Sequence, residues 1–152
     1  MENMWNIEID DKNLSNLMPP DEIIEMQCKF LSEATKGKII AKMAENRYTG
    51  DDYGRFSYEF FITSIFTPNY RFSVMQINHE IPYYPLEIKM DADIAKEAFN
   101  SYWIKTCKDE EEFIAALSKV INSKKVKDVI SSLYAMGKSQ ERRDDDLLFA
   151  VQ

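Results

Sequence analysis

The stretch FSYEFFITSIF, at residues 56–66, constrains the fold more than any other part of this sequence. Phe56, Tyr58, Phe60 and Ile62 alternate with polar residues along most of its length. Successive side chains of a strand point to opposite faces, so this period of two predicts a strand with one apolar and one polar face. The apolar face must be covered by other elements of the chain, which predicts a layered fold.

Three more segments are predicted as strands, and short turns connect them. KIIAKMAENRY precedes the turn TGDDYGR, RFSVMQIN follows the turn TPNY, and LEIKM comes directly after Pro85. Connections this short favour an antiparallel meander. Within RFSVMQIN the apolar face changes between Val74 and Met75, which predicts a β-bulge or a strand that is covered on both faces.

Helical spacing precedes and follows the strands. An N-terminal helix is predicted over residues 20–35, where prolines and acidic residues suit a helix start. A short helix is predicted in DADIAKEAF and longer ones in DEEEFIAALSKVIN and SKKVKDVISSLYAMG, the last of which ends at Gly137. Asp109 and Glu112 have the spacing of a capping box. We therefore predict an α+β fold with an N-terminal helix, a four-stranded antiparallel meander and two or three C-terminal helices packed on the sheet.

A chain of 152 residues favours a single domain. We expect the α+β domain to span residues 1–137, with residues 1–18 as an extended N-terminal segment. Residues 138–152 are predicted to form a charged tail with an apolar end.

Charge and cysteine content exclude several classes of protein. The net charge is −7, and the 19 basic residues are spread among 26 acidic ones, so the basic surface that nucleic-acid binding requires is absent. The sequence has no leader pattern and no run of 18 apolar residues, which predicts no contact with a membrane. Cys28 and Cys107 are far apart and form no CxxC motif, so we expect a reduced, cytoplasmic chain.

His79 and Cys107 are the candidates for chemistry. His79 is the only histidine, and its neighbour Glu80 would face the other way in a strand, which favours a histidine that is solvated or bonded to backbone. Cys107 precedes a predicted helix start, where the helix dipole lowers the pKa of a thiol, but the four carboxylates at positions 109–112 oppose that effect. A small buried residue is the favoured interpretation of Cys107. The sequence contains no metal or cofactor motif, so neither is predicted.

The corner around His79, Tyr83, Tyr84 and Pro85 is a candidate surface for binding a partner protein. The prolines in the segment IPYYP cannot donate hydrogen bonds to a sheet, so the segment must leave the strand ladder as a stiff, projecting turn. The aromatic face of the sheet is a further candidate.

The apolar end of the tail is a second candidate surface, and it contains Leu147, Leu148 and Phe149. A run of apolar residues directly after a charged segment is unusual in solvent. These residues therefore dock either on their own domain or on another chain.

The order of elements resembles the ubiquitin-conjugating-enzyme fold and its non-catalytic RWD relatives. In that superfamily a Tyr-Pro pair follows the third strand, as Tyr84 and Pro85 do here. The resemblance implies that Cys107, 22 residues after Pro85, stands near the place of the catalytic cysteine, and that Asn100 stands near the oxyanion-stabilising asparagine. The His-Pro before that asparagine and the long segment after the cysteine are absent here, so the non-catalytic branch fits better.

These features favour a small acidic, regulatory protein-binding module without catalysis, acting as an adaptor, an inhibitor or a regulatory subunit. Its size and acidity suggest a bacterial or phage conflict system. One alternative is a thiol-dependent transferase that uses Cys107 with Asn100 as oxyanion donor. Another is a small-ligand sensor with an aromatic pocket. The partner is expected to be another protein, and a homodimer is compatible with the sequence.

Overall fold

The computed structural model describes residues 1–9, 18–46 and 55–151, with side chains up to residue 148. Residues 1–9 form neither helix nor strand. The remainder is an α+β fold, as predicted, and its elements in chain order are α1 Pro20–Ala34, β1 Ile39–Glu45, β2 Phe56–Ser64, β3 Thr67–His79, β4 Leu86–Met90, α2 Ala92–Phe99, β5 Ile104–Cys107, α3 Glu110–Ile121 and α4 Lys124–Val151.

One antiparallel sheet has the strand order β1-β2-β3-β4-β5, so neighbours in sequence are neighbours in space. The prediction of four strands missed β5, which pairs Cys107 with Leu86 and Lys105 with Ile88. Lys105 lies on the apolar face of the sheet beside Ile88, with its ammonium 5.6 Å from the centre of the Phe99 ring. A lysine that packs its aliphatic stem inward removes the alternation by which a strand is identified in sequence.

The predicted β-bulge is present in β3. Phe60 lies opposite Met75 whereas Phe61 lies opposite Ser73, so Val74 is the extra residue. Val74 and Met75 are therefore consecutive and both buried. The bulge explains why the apolar face of this strand changes at Val74 in the sequence.

Helices cover the apolar face of the sheet. Ile23 and Ile24 of α1 and Phe113 and Leu117 of α3 are buried in one core with the apolar strand residues, Phe60 among them. Phe60 and Ile62 of the aromatic face are therefore interior, whereas Phe56 and Tyr58 at its end are half-buried, and the role of this face as a partner surface stays a prediction. The cap predicted at the start of α3 is present, where Asp109 Oδ1 accepts the Glu112 N–H at 2.8 Å, but the reciprocal bond of a capping box goes to the residue before the cap. The carboxylate of Glu112 in turn accepts the N–H of Lys108 at 2.8 Å.

Helix α4 does not end at Gly137, as we predicted, but continues to Val151. Gly137 is buried, and a Cβ atom placed on it would lie 2.5 Å from Cε2 of Phe66. The glycine therefore serves close packing of an aromatic ring on the helix and not helix termination. An ion pair of 3.1 Å joins Glu141 to Lys38 near β1. The proposed tail, residues 138–152, is thus helical as far as residue 151.

In the part of the chain that the structure describes, no helix is both long and apolar enough to cross a membrane.

Candidate functional site: the aromatic corner

The loop of residues 80–85 joins β3 to β4 and contains two cis peptide bonds, Ile81-Pro82 and Tyr84-Pro85. Neither proline has an N–H, so the ladder of the sheet stops on both sides of the loop. Ile81, Pro82 and Pro85 are exposed. We call this loop, together with His79, Phe56 and Tyr58, the aromatic corner.

His79 lies inside the corner and not on its surface. It is the last residue of β3 and only 5% exposed, and its Nδ1 lies 2.9 Å from the backbone oxygen of Glu80. The imidazole stacks on Phe56 and Tyr58 at centroid distances of 5.3 and 5.9 Å, and Tyr83 meets it edge-on at 5.5 Å. Four aromatic rings thus form one cluster, with stabilising offset and edge geometries. Any contribution of His79 to partner binding would be to position Tyr83.

Tyr84 carries a buried hydroxyl that has no hydrogen-bond partner among the described residues. Burial is the main cause that raises the pKa of this phenol, and the carboxylate of Glu110, the thiol of Cys107 and Asp109 raise it further. The ring is half-buried and lies against the core. Tyr84 is therefore held as a neutral phenol in a poorly solvated place.

A cavity of about 300 Å³ opens at the corner, and its wall includes His79, Tyr84, Pro82 and Pro85. At its rim Arg55 and Glu80 form an exposed ion pair of 3.5 Å. A volume of this size matches the lower end of small-molecule sites, and it can also hold one large side chain of a partner. The corner therefore combines an exposed proline-rich edge with a concave surface.

Replacing Tyr84 with phenylalanine is expected to leave the free energy of unfolding unchanged or to raise it by up to about 1 kcal/mol, because the change removes an unsatisfied polar group and keeps the ring. Urea unfolding would measure this, with the exposed Tyr102→Phe as the control. A loss of about 1 kcal/mol or more would show that the hydroxyl has a partner in solution, such as a bridging water.

Cys107 and Asn100, the residues of the catalytic alternative, lie in different surroundings. The Cys107 side chain is fully buried, and burial raises the pKa of its thiol to about 11, against the lowering effect of Lys105. Asn100 is exposed at the end of α2, where its backbone adopts the left-handed conformation that caps a helix. A reactive thiol needs access and a lowered pKa, and Cys107 has neither.

The described carboxylates of α2 serve structural roles. Asp91 caps α2 by accepting the Asp93 N–H, and it pairs with Lys125 at 2.8 Å. Among the described residues, no three His, Cys, Asp or Glu side chains come together as metal ligands.

The second candidate surface lies at the end of α4. All residues from 142 to 148 are exposed, including Leu147 and Leu148 at 64% and 67%. The side chain of Phe149 lies outside the described residues. The two leucines do not pack on their own domain in this structure, and they are not part of the aromatic corner.

Sequence reasoning missed Phe56 and Tyr58 as members of the site. Phe56 lies directly opposite His79 across β2 and β3, and Tyr58 lies opposite Ile77 on the same face. The alternation that predicted β2 placed both rings on one face of the strand, and this was the sequence signal that could have grouped them. The pairing register of the two strands was required to bring them to His79.

Compared with known proteins, this chain matches no protein-family model, no curated protein and no solved structure. The resemblance to the ubiquitin-conjugating and RWD folds therefore stays a hypothesis.

Proposed function

We propose that this chain is a small acidic protein-binding module that acts as an adaptor, an inhibitor or a regulatory subunit and has no catalytic activity of its own. The observation that carries the proposal is the free end of α4, where residues 142–148 are exposed on every side and include two leucines. The aromatic corner, with Tyr83, Tyr84 and Pro85, is the second surface that we assign to partner binding.

A helix end of this kind is suited to docking. Residues 142–151 extend α4 by about 15 Å, at about 1.5 Å per residue. Helical segments without tertiary contacts are marginally stable in water, because most helix stability in proteins comes from packing of an apolar face. A partner groove would supply that packing, as in other helix-in-groove complexes.

The chemistry of the segment indicates the chemistry of the partner. Three carboxylates, at positions 144–146, directly precede Leu147 and Leu148. A matching groove would have an apolar floor for the leucines and Lys or Arg side chains along the rim that faces the carboxylates. Buried apolar side chains would supply most of the affinity, and the charges would steer association.

The surroundings of Cys107 do not favour the thiol-dependent alternative. An attacking thiol must ionise near neutral pH, whereas burial raises the pKa of Cys107 to about 11. A thiol that alkylates faster than free cysteine in the folded protein would argue for that alternative and against our proposal.

The proposal predicts that Leu147→Asp combined with Leu148→Asp weakens capture of the partner at least about tenfold, because each buried leucine contributes about 1.5–3 kcal/mol. The measurement is affinity capture from the source lysate, with the stoichiometry of the captured protein quantified. Ser131→Asp with Ala135→Asp is the matched control, since it adds the same charge to exposed positions of the same helix. Failure to capture any stoichiometric partner, or equal capture by both double variants, would contradict the proposal.

A further inference from the structure

We propose that residues 5–9 of one copy of this chain pair as an antiparallel strand with the free edge of β1 in a second copy, and that the exchange is reciprocal. This inference does not rest on the proposed function, because it concerns neither the end of α4 nor the aromatic corner.

The outer edge of β1 has open hydrogen-bonding groups. Lys38 O accepts the Ile65 N–H and Asn46 N–H donates to Ser57 O, so the even-numbered residues of this strand bond toward β2. The odd-numbered residues point away, and the first of them, Ile39, has its N–H and C=O bonded to the hydroxyl of Thr35.

The next three odd-numbered residues, Ala41, Met43 and Glu45, have no such partner. Their outward N–H and C=O groups make no hydrogen bond to any other residue that the structure describes. An edge of this kind is a template for another strand.

The N-terminal segment has the pattern of a strand that lacks a sheet. Trp5, Ile7 and Ile9 alternate with Asn6 and Glu8. The three apolar side chains are exposed at 77%, 58% and 76%. A period of two is typical of a strand with one buried face, and exposed apolar side chains in such a row favour addition to a sheet edge.

Charge selects the register. With Ile7 opposite Met43 in an antiparallel pair, Glu8 faces Lys42 on the polar side of the sheet. Lys42 is exposed there, so the pair would be a favourable cross-strand contact. A parallel pairing with the same central pair would place Glu8 beside Ala44 and near Glu45. Repulsion between the two carboxylates disfavours this arrangement.

The same register places the apolar side chains on the apolar face. Ile9, Ile7 and Trp5 would continue the row of Ala41 and Met43, whose opposite residues in β2 are buried core residues. On that face α1 still exposes Met26 and Phe30. Three hydrogen-bonded residue pairs would form on each edge.

A second copy is the occupant that satisfies both features at once. Each chain carries the open edge of β1 and one segment of matching length and charge, whose three apolar side chains are exposed within one copy. Reciprocal exchange between two copies gives a closed, two-fold arrangement in which both β1 edges and both segments are paired.

Sedimentation of the whole chain over a concentration series tests the proposal, with Ile7→Pro and Asn6→Pro as the matched pair. Of these two residues, Ile7 points its N–H toward β1 in this register and Asn6 points its N–H away, so proline at position 7 removes a ladder bond and proline at position 6 does not. We expect a concentration-dependent dimer for the wild type, at least about a tenfold rise in its dissociation constant for Ile7→Pro, and less than about a threefold rise for Asn6→Pro.

Charge exchange tests the register. Glu8→Lys and Lys42→Glu should each weaken the dimer, and the double variant should restore it. Amide exchange at Ala41 and Met43 should slow as the dimer forms. A chain that stays monomeric at all concentrations, with or without protected amides at these positions, overturns the proposal; so does a dimer that Ile7→Pro leaves unchanged.

Discussion

Gly137→Val will lower the free energy of unfolding by about 2–3 kcal/mol, the cost of overpacking a filled site. In an exposed helix interior the same change is close to neutral or slightly favourable, because glycine is the poorest helix former after proline. Here the Phe66 ring occupies the space into which a side chain would grow. The backbone that carries the ring is held in place, because Ile65 N–H bonds to Lys38 O at 3.2 Å and Phe66 N–H bonds to Ser64 Oγ at 3.2 Å, so relief of the contact requires the Phe66 side chain to leave its rotamer.

Urea unfolding of Gly137→Val, Phe66→Ala and the double variant would measure this effect. Removing the ring should relieve the clash, so the two changes should cost at least about 1 kcal/mol less together than the sum of their separate costs. Ser131→Ala on the exposed side of the same helix is the control, with an expected change within about 0.5 kcal/mol. Additive losses in the double variant would mean that Phe66 is not what excludes a side chain at Gly137.

Raising the pH from 9 to 11 will lower the free energy of unfolding by about 2 kcal/mol through Cys107 alone, because each pH unit between the two pKa values costs up to about 1.4 kcal/mol. Burial raises the pKa of this thiol from its ordinary value of 9.0 to about 11. The unfolded chain ionises first, so the stabilisation is complete below pH 9 and is lost as the pH rises through the folded-state pKa. Cys28, half-buried with its pKa also raised to about 11, adds a loss of its own over the same pH range.

Comparison of wild type and Cys107→Ala from pH 8 to 10.5 would isolate the contribution of this thiol. The variant starts less stable, because it loses a buried sulfur, but its stability should fall less steeply with pH. Cys28→Ala is the control and should leave the Cys107 part of the slope in place. Above pH 10 Tyr84 contributes a further loss, because burial raises the pKa of its phenol. Parallel curves for wild type and Cys107→Ala would show that the thiol ionises without unfolding.

Much of the fold follows from local patterns. Residues a few positions apart determine the period of two in β2, the helical spacing of α1 and α3, the cap at Asp109 and the bulge at Val74. Interactions at that range depend only on the local order of the residues, so they can be inferred without knowledge of the tertiary fold. The α+β class follows from the same patterns.

Two elements could not be inferred in this way. Strand β5 was not predicted because Lys105 occupies a position on the apolar face. A lysine is acceptable there only where its ammonium can reach solvent, as it does beside the Phe99 ring. Gly137 was interpreted as a helix end because glycine commonly terminates helices, whereas the approach of Phe66, 71 residues earlier in the chain, is its actual reason. In both cases the deciding contact joins residues that are distant in sequence.

The aromatic corner also has one feature that the sequence determined and one that only the tertiary structure decided. The sequence alone determined that a stiff proline-rich turn follows β3, since a residue without an N–H cannot continue a ladder wherever it lies. It did not determine what surrounds His79. Counted from the turn, where Ser64 lies opposite Thr67, an unbroken ladder would place Phe56 opposite Met75. Two register shifts in the hairpin place it opposite His79 instead. The change of apolar face at Val74 indicated the first shift, but the second, between Ile62 and Ser64, depends on how the two strands pair near their turn and was visible only in the tertiary structure.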